Sequence, residues 1–100
     1  MIWKEKLGDL FSGTVNQQSL EEAAEMMVSV SEDDIEYHNE CIATLESGIR
    51  ACNNGERDVI SEINKSGYQV SSLEDARKLL EDFLTIYLKE YRDNLLVHDP

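Results

Sequence analysis

The sequence predicts an all-α protein, a small antiparallel bundle of four to five helices, on three observations. Apolar residues recur at steps of three and four almost throughout. The one proline is Pro100, so no ring interrupts a helix. Two S-x-x-E capping boxes, Ser19/Glu22 and Ser71/Glu74, stand where helices need to begin. A chain of 100 residues suits one domain, residues 1–100, able to bury something over about 60% of its unfolded surface.

Trp3, Leu7, Leu10 and Phe11 are spaced as the stripe of a first helix that Gly13 terminates. Thr14 to Gln18 reads as a loop. The Ser19 box then opens a helix with Leu20, Ala23, Ala24 and Met27 on one face and Glu21, Glu22 and Glu25 on the other. Val28 to Ser31 reads either as a β-branched turn of helix or as a break, and a break capped by Ser31 is the favoured reading. Ile35, His38, Ile42, Leu45, Ile49 and Cys52 then alternate steps of three and four, the seam of a bundle helix. Asn53-Asn54-Gly55 stops it. Val59, Ile60 and Ile63 mark a short helix within Glu56 to Ser66, ended by Gly67. Tyr68-Gln69-Val70 alternates like a strand but is too short to build a sheet. The Ser71 box opens the last helix, carrying Leu73, Ala76, Leu80, Phe83, Leu84, Tyr87, Tyr91 and Leu95. Leu79, Ile86 and Leu88 widen its apolar arc, as suits the central helix.

Nine Lys/Arg against twenty-one Asp/Glu give a net charge of −12. That field repels nucleic acid and anionic membrane and attracts basic partners. The charge is unevenly spread: no Lys or Arg occurs between Lys6 and Arg50, an interval holding ten acids. Glu21, Glu22 and Glu25 share an outer helical face, and Asp33, Glu36 and Glu40 another, with Glu32 and Asp34 between them. The last helix interleaves Arg77, Lys78, Lys89 and Arg92 with its acids and compensates itself. Two readings of the acidic stretch follow. It is a solvated coat, or it is a docking surface for a basic protein, with carboxylates standing where a nuclease's substrate phosphates would lie. The candidate partner-binding residues are Glu21, Glu22, Glu25, Glu32, Asp33, Asp34, Glu36 and Glu40.

No catalytic, metal or cofactor set is expected. His38 and Cys41 lie three apart on one helix, but a nucleophile also needs an orienting group and an oxyanion site, and both fit core positions. Glu-x-x-His, needed on two helices of a di-iron bundle, is absent. Cys41 and Cys52, if on one helix, stand about 16 Å apart along its axis, too far for a disulfide. Reduced thiols, charges in the opening residues where a signal peptide is apolar, and no apolar run of membrane-spanning length point to a cytoplasmic protein.

The run Leu10-Phe11-Ser12-Gly13-Thr14-Val15, followed by a capped helix with Glu21-Glu22, resembles the opening of bacterial toxin-immunity proteins, those of colicin D and of contact-dependent growth inhibition. The resemblance implies a cytoplasmic protein that blocks the active site of a basic nuclease toxin domain. Two other classes stay open: a phage-encoded inhibitor such as an anti-CRISPR protein, and a helical adaptor subunit.

Overall fold

Helix dominates because the chain supplies helix starts and apolar stripes and nothing to stop them early. The computed structural model describes residues 6–7, 19–64 and 69–98, with side chains as far as Asn94. Among the described residues from Ser19 onward four helices follow one another: α1 Leu20–Ser31, α2 Ile35–Asn53, α3 Asp58–Asn64 and α4 Leu73–His98. Among the described residues there is no strand. Trp3, Leu10, Phe11, the Gly13 stop, the 14–18 loop, Gly67, Tyr68 and the Leu95 side chain lie outside the described residues. So does the Leu10–Val15 run that carries the resemblance. Lys6 and Leu7 are helical, and Leu7 is fully buried.

The Ser19 box forms as its spacing predicts. Ser19 Oγ accepts the Glu22 N–H at 3.1 Å and donates to Glu22 Oε1 at 3.2 Å. The favoured break at Val28–Ser31 does not form: α1 runs through Ser31, and the break falls at Glu32–Asp34. Ser31 does not cap the next helix. Asp34 does, its Oδ1 accepting the Tyr37 N–H at 3.1 Å. A carboxylate beside the free amides of a helix start also interacts favourably with the helix dipole.

At its far end α2 closes as the Asn-Asn-Gly run predicts. Gly55 takes φ 80°, a conformation that an L side chain resists. The Glu56 and Gly55 amides donate to the carbonyls of Ala51 and Cys52 at 2.9 and 3.1 Å, a Schellman closure. The second capping box is displaced by one residue: Ser72, not Ser71, accepts the Asp75 N–H at 3.1 Å and begins α4. The strand-like Val70 finds a partner that is no strand. Its N–H and C=O bond the Oδ1 and Nδ2 of the Asn64 side-chain amide at 2.9 and 3.1 Å.

α4 packs against each of the other three helices, as its wide apolar arc requires. Ala76, Leu80, Phe83 and Tyr87 are fully buried along it. Small Ala23 and Ala24 on α1 lie at 0% exposure in the same core and let backbones approach. The Cα radius of gyration is 13.2 Å, that of a compact chain of this length at about 13 Å.

Of the expected α2 seam, His38, Leu45 and Cys52 are buried, while Ile35, Ile42 and Ile49 are not, so the buried strip is rotated towards one flank. The buried residues of α2 are His38, Cys41, Thr44, Leu45, Gly48, Ala51 and Cys52. Ile42 and Ile49 are half-buried on the flank, and Ile35 is 60% exposed. Gly48 explains the rotation. A Cβ there would come within 2.8 Å of Leu80 Cδ1 and 3.5 Å of Leu7 Cδ2, so the bare backbone is the contact surface. At Gly48 the helix turns bare backbone, not a side chain, towards α4.

Gly48→Val is therefore expected to lower stability by roughly 1–3 kcal/mol through overpacking, read by urea unfolding. Gly48→Ala should cost less, because only the Leu80 methyl must move and alanine gains about 0.5–1 kcal/mol of helix propensity.

Candidate functional site

The acidic segment occupies α1, the turn after it and the start of α2, and the structure shows what holds that turn. Tyr87 of α4, fully buried, carries its hydroxyl between Ser31, the last residue of α1, and His38, in the first turns of α2. Tyr87 Oη donates to Ser31 Oγ at 2.9 Å, and His38 Nδ1 lies 2.7 Å from the same oxygen. With the tyrosine proton on Ser31, the imidazole proton sits on Nδ1. Ser31 Oγ passes the sequence on to the Val28 carbonyl at 3.4 Å. The His38 ring stacks on Tyr91 with centroids 3.7 Å apart and planes 16° off parallel. Both ends of the acidic turn are thus pinned to one side chain.

Burial lowers the His38 pKa from its ordinary 6.5, because the charged ring would lose hydration. Burial likewise raises Tyr87, to about 12, and pushes the Cys41 thiol up to about 11. Cys41 is protonated at neutral pH, and the His38 nitrogen that forms a bond turns to Tyr87 instead of the thiol. The two residues are core members that share a helix, as their spacing suggests.

All eight candidate acids are exposed. Four also have a local role. Glu22 Oε1 accepts from the Ser19 hydroxyl, Asp34 caps α2, Glu32 Oε2 accepts from Asn94 Nδ2 at 2.7 Å, and Glu40 pairs with Lys6 at 2.6 Å. That pair is half-exposed and worth about 0–1 kcal/mol. Glu21, Glu25, Asp33 and Glu36 are held by no side-chain hydrogen bond or ion pair among the described residues.

Packing also adds acids that the linear segment omits. Glu25 and Glu32 line an open groove of about 350 Å³ whose opposite wall is Glu90, Asp93 and Asn94 of α4, with Val28 at its base. On this wall Lys89 lies 3.6 Å from Asp93, and earlier along α4 Arg77 lies 3.9 Å from Glu81. Glu90 and Asp93 stand three apart on a helix rich in bases. Only knowledge of which flank of α4 meets α1 would have singled them out. Among the described residues no group of three or more His, Cys, Asp or Glu could hold a metal ion, and no helix is long and apolar enough to cross a membrane.

No protein-family model matches this chain, and neither curated proteins nor solved structures yield a match.

Tyr87→Phe removes one hydroxyl and leaves Ser31 and His38 without their buried partner, which should cost about 1–3 kcal/mol in denaturant unfolding. The pH dependence has a defined sign. A histidine whose folded pKa is lowered contributes stability fully above the unfolded value of 6.5 and loses it as pH falls through the folded value. The stability gap between the wild type and His38→Asn is therefore expected to be widest above pH 6.5 and to shrink on acidification. A gap that is flat or grows towards acid would contradict a neutral buried imidazole.

Proposed function

We propose that this chain is a binding protein, not an enzyme, that docks and neutralises a basic protein partner through the acidic face of α1, the following turn and the start of α2. The observation that carries this reading is the exposure of all eight carboxylates on one continuous stretch, in a segment without a single Lys or Arg from residue 7 to residue 49. Clustered acids repel one another and destabilise the compact state, so keeping them together favours a use for their field. The resemblance to toxin-immunity proteins makes the partner a nuclease toxin domain, whose phosphate-binding groove the carboxylates would occupy, and the setting cytoplasmic. The same field disfavours nucleic acid and anionic membrane as partners.

The antiparallel bundle belongs to this proposal. Contacts that step forward along α2, from His38 through Gly48 to Cys52, step back along α4, from Tyr87 through Leu80 to Arg77. An antiparallel pairing of these helices accounts for that order and places the acidic turn at one end.

The test is a pull-down from the source strain, with the captured protein identified by mass, followed by association kinetics. Glu25→Lys, Asp33→Lys and Glu36→Lys together should slow association roughly tenfold or more at low salt, as loss of steering does, with the circular dichroism unchanged. Glu74→Lys with Glu81→Lys on α4 should have a much smaller effect. A captured partner that is acidic, or that binds the first variant as fast as wild type at low and high salt, defeats the reading.

A further inference from the structure

The acids are not the only exposed side chains in the base-free segment. Among the described residues four large apolar side chains are exposed: Met26 at 44%, Val30 at 50%, Ile35 at 60% and Leu88 at 42%. Three of the four fall within ten consecutive positions, from the middle of α1 to the first residue of α2. Met26 and Val30 are one turn apart on the same side of α1, a spacing that puts their Cβ atoms about 5–6 Å from each other. They lie away from the stripe that α1 buries, which is Ala23, Ala24, Met27, Val28 and Ser31. Ile35 follows directly on the turn that Tyr87 pins, so its place relative to α1 is fixed by Ser31 and His38.

Single exposed apolar residues on a surface are ordinary. Three of them interleaved along ten positions with Glu25, Asp33, Asp34 and Glu36 supply the two ingredients of an interface, apolar groups that exclude water and charges that steer and select. We propose that Met26, Val30 and Ile35 are the apolar anchor of the partner-binding face, and that its occupant is a basic amphipathic segment of another protein, with aliphatic or aromatic residues on one side and Lys or Arg on the flanks. This rests on the reading under "Proposed function" and adds to it the source of the bound state's lifetime. The charges set how fast the partner arrives. The apolar contacts set how slowly it leaves. A second copy of this chain is a poor occupant, since each copy carries −12 and would bring the same acids against its own.

The probe is a synthetic helical peptide of Lys and Leu in amphipathic order, compared with a peptide of equal length and charge in which every Leu is Ser. Both are titrated into the ¹⁵N-labelled full chain and followed by amide shifts. The Leu peptide should move amides in the 22–36 stretch and bind roughly tenfold or more tighter than the Ser peptide. Met26→Ser, Val30→Ser and Ile35→Ser combined should abolish that advantage while leaving the melting temperature and the weak Ser-peptide binding as in wild type, because the three side chains are exposed. Equal binding of the two peptides, or shifts confined to the Glu90/Asp93 groove, overturns the anchor but leaves the acidic docking reading intact. Failure of both peptides to perturb the segment defeats both. Dimerisation of the free wild type that the triple substitution removes would show the occupant to be a second copy and overturn the proposal.

Discussion

One phenol ties this fold together. The Tyr87 hydroxyl is buried at the meeting point of α1, α2 and α4, where an oxygen without partners would cost more than the bonds it makes contribute. Its partners are Ser31 and His38, on either side of the turn between α1 and α2. The network therefore gives specificity more than strength. Other pairings of these helices would leave the phenol and the imidazole without these partners in a low-dielectric interior. Everything between residues 32 and 37 inherits its position from that requirement.

The acidic face lives with its own repulsion by satisfying part of itself without cations. An exposed carboxylate at a helix start accepts a backbone amide and meets the positive end of the helix dipole, as Asp34 does on α2. Glu22 uses a serine, and Glu32 an asparagine from α4. Glu40 pairs with Lys6. The arrangement keeps the field negative where arginine or lysine partners would have cancelled it. The structural acids and the spare ones are interleaved along the same stretch.

The helical class, the Ser19 cap and the Asn-Asn-Gly stop were legible in the sequence because each depends on neighbours within a few positions. The larger misreadings turned on distant contacts. Ser31 has the chemistry of a cap, and nothing local says that a tyrosine far along the chain claims its hydroxyl. Ile35, Ile42 and Ile49 outrank Cys41, Gly48 and Ala51 in hydrophobicity, yet α2 buries the smaller set, because Leu80 and Leu7 need room against the backbone. Between Ser71 and Ser72 the sequence offers two equivalent starts, and the choice is a matter of one residue's register. The eight acids were visible as a run without bases. The groove wall of Glu90 and Asp93, and the apolar trio among the acids, were not, because both depend on which side of a helix remains uncovered.

The two cysteines turn α2 into a gauge of its own motion. Cys41, two turns into the helix, and Cys52, in its last turn, are buried at 4% and 7% exposure, and burial raises the pKa of both thiols. A protonated, enclosed sulfur reacts with a thiol reagent only in the moments when its surroundings part. The rate of modification at each sulfur then counts openings at its own level of the helix, one in the half that follows the acidic turn and one beside the Gly55 closure. A bound partner that braces the acidic turn would slow the clock at Cys41 while the clock at Cys52 ran on.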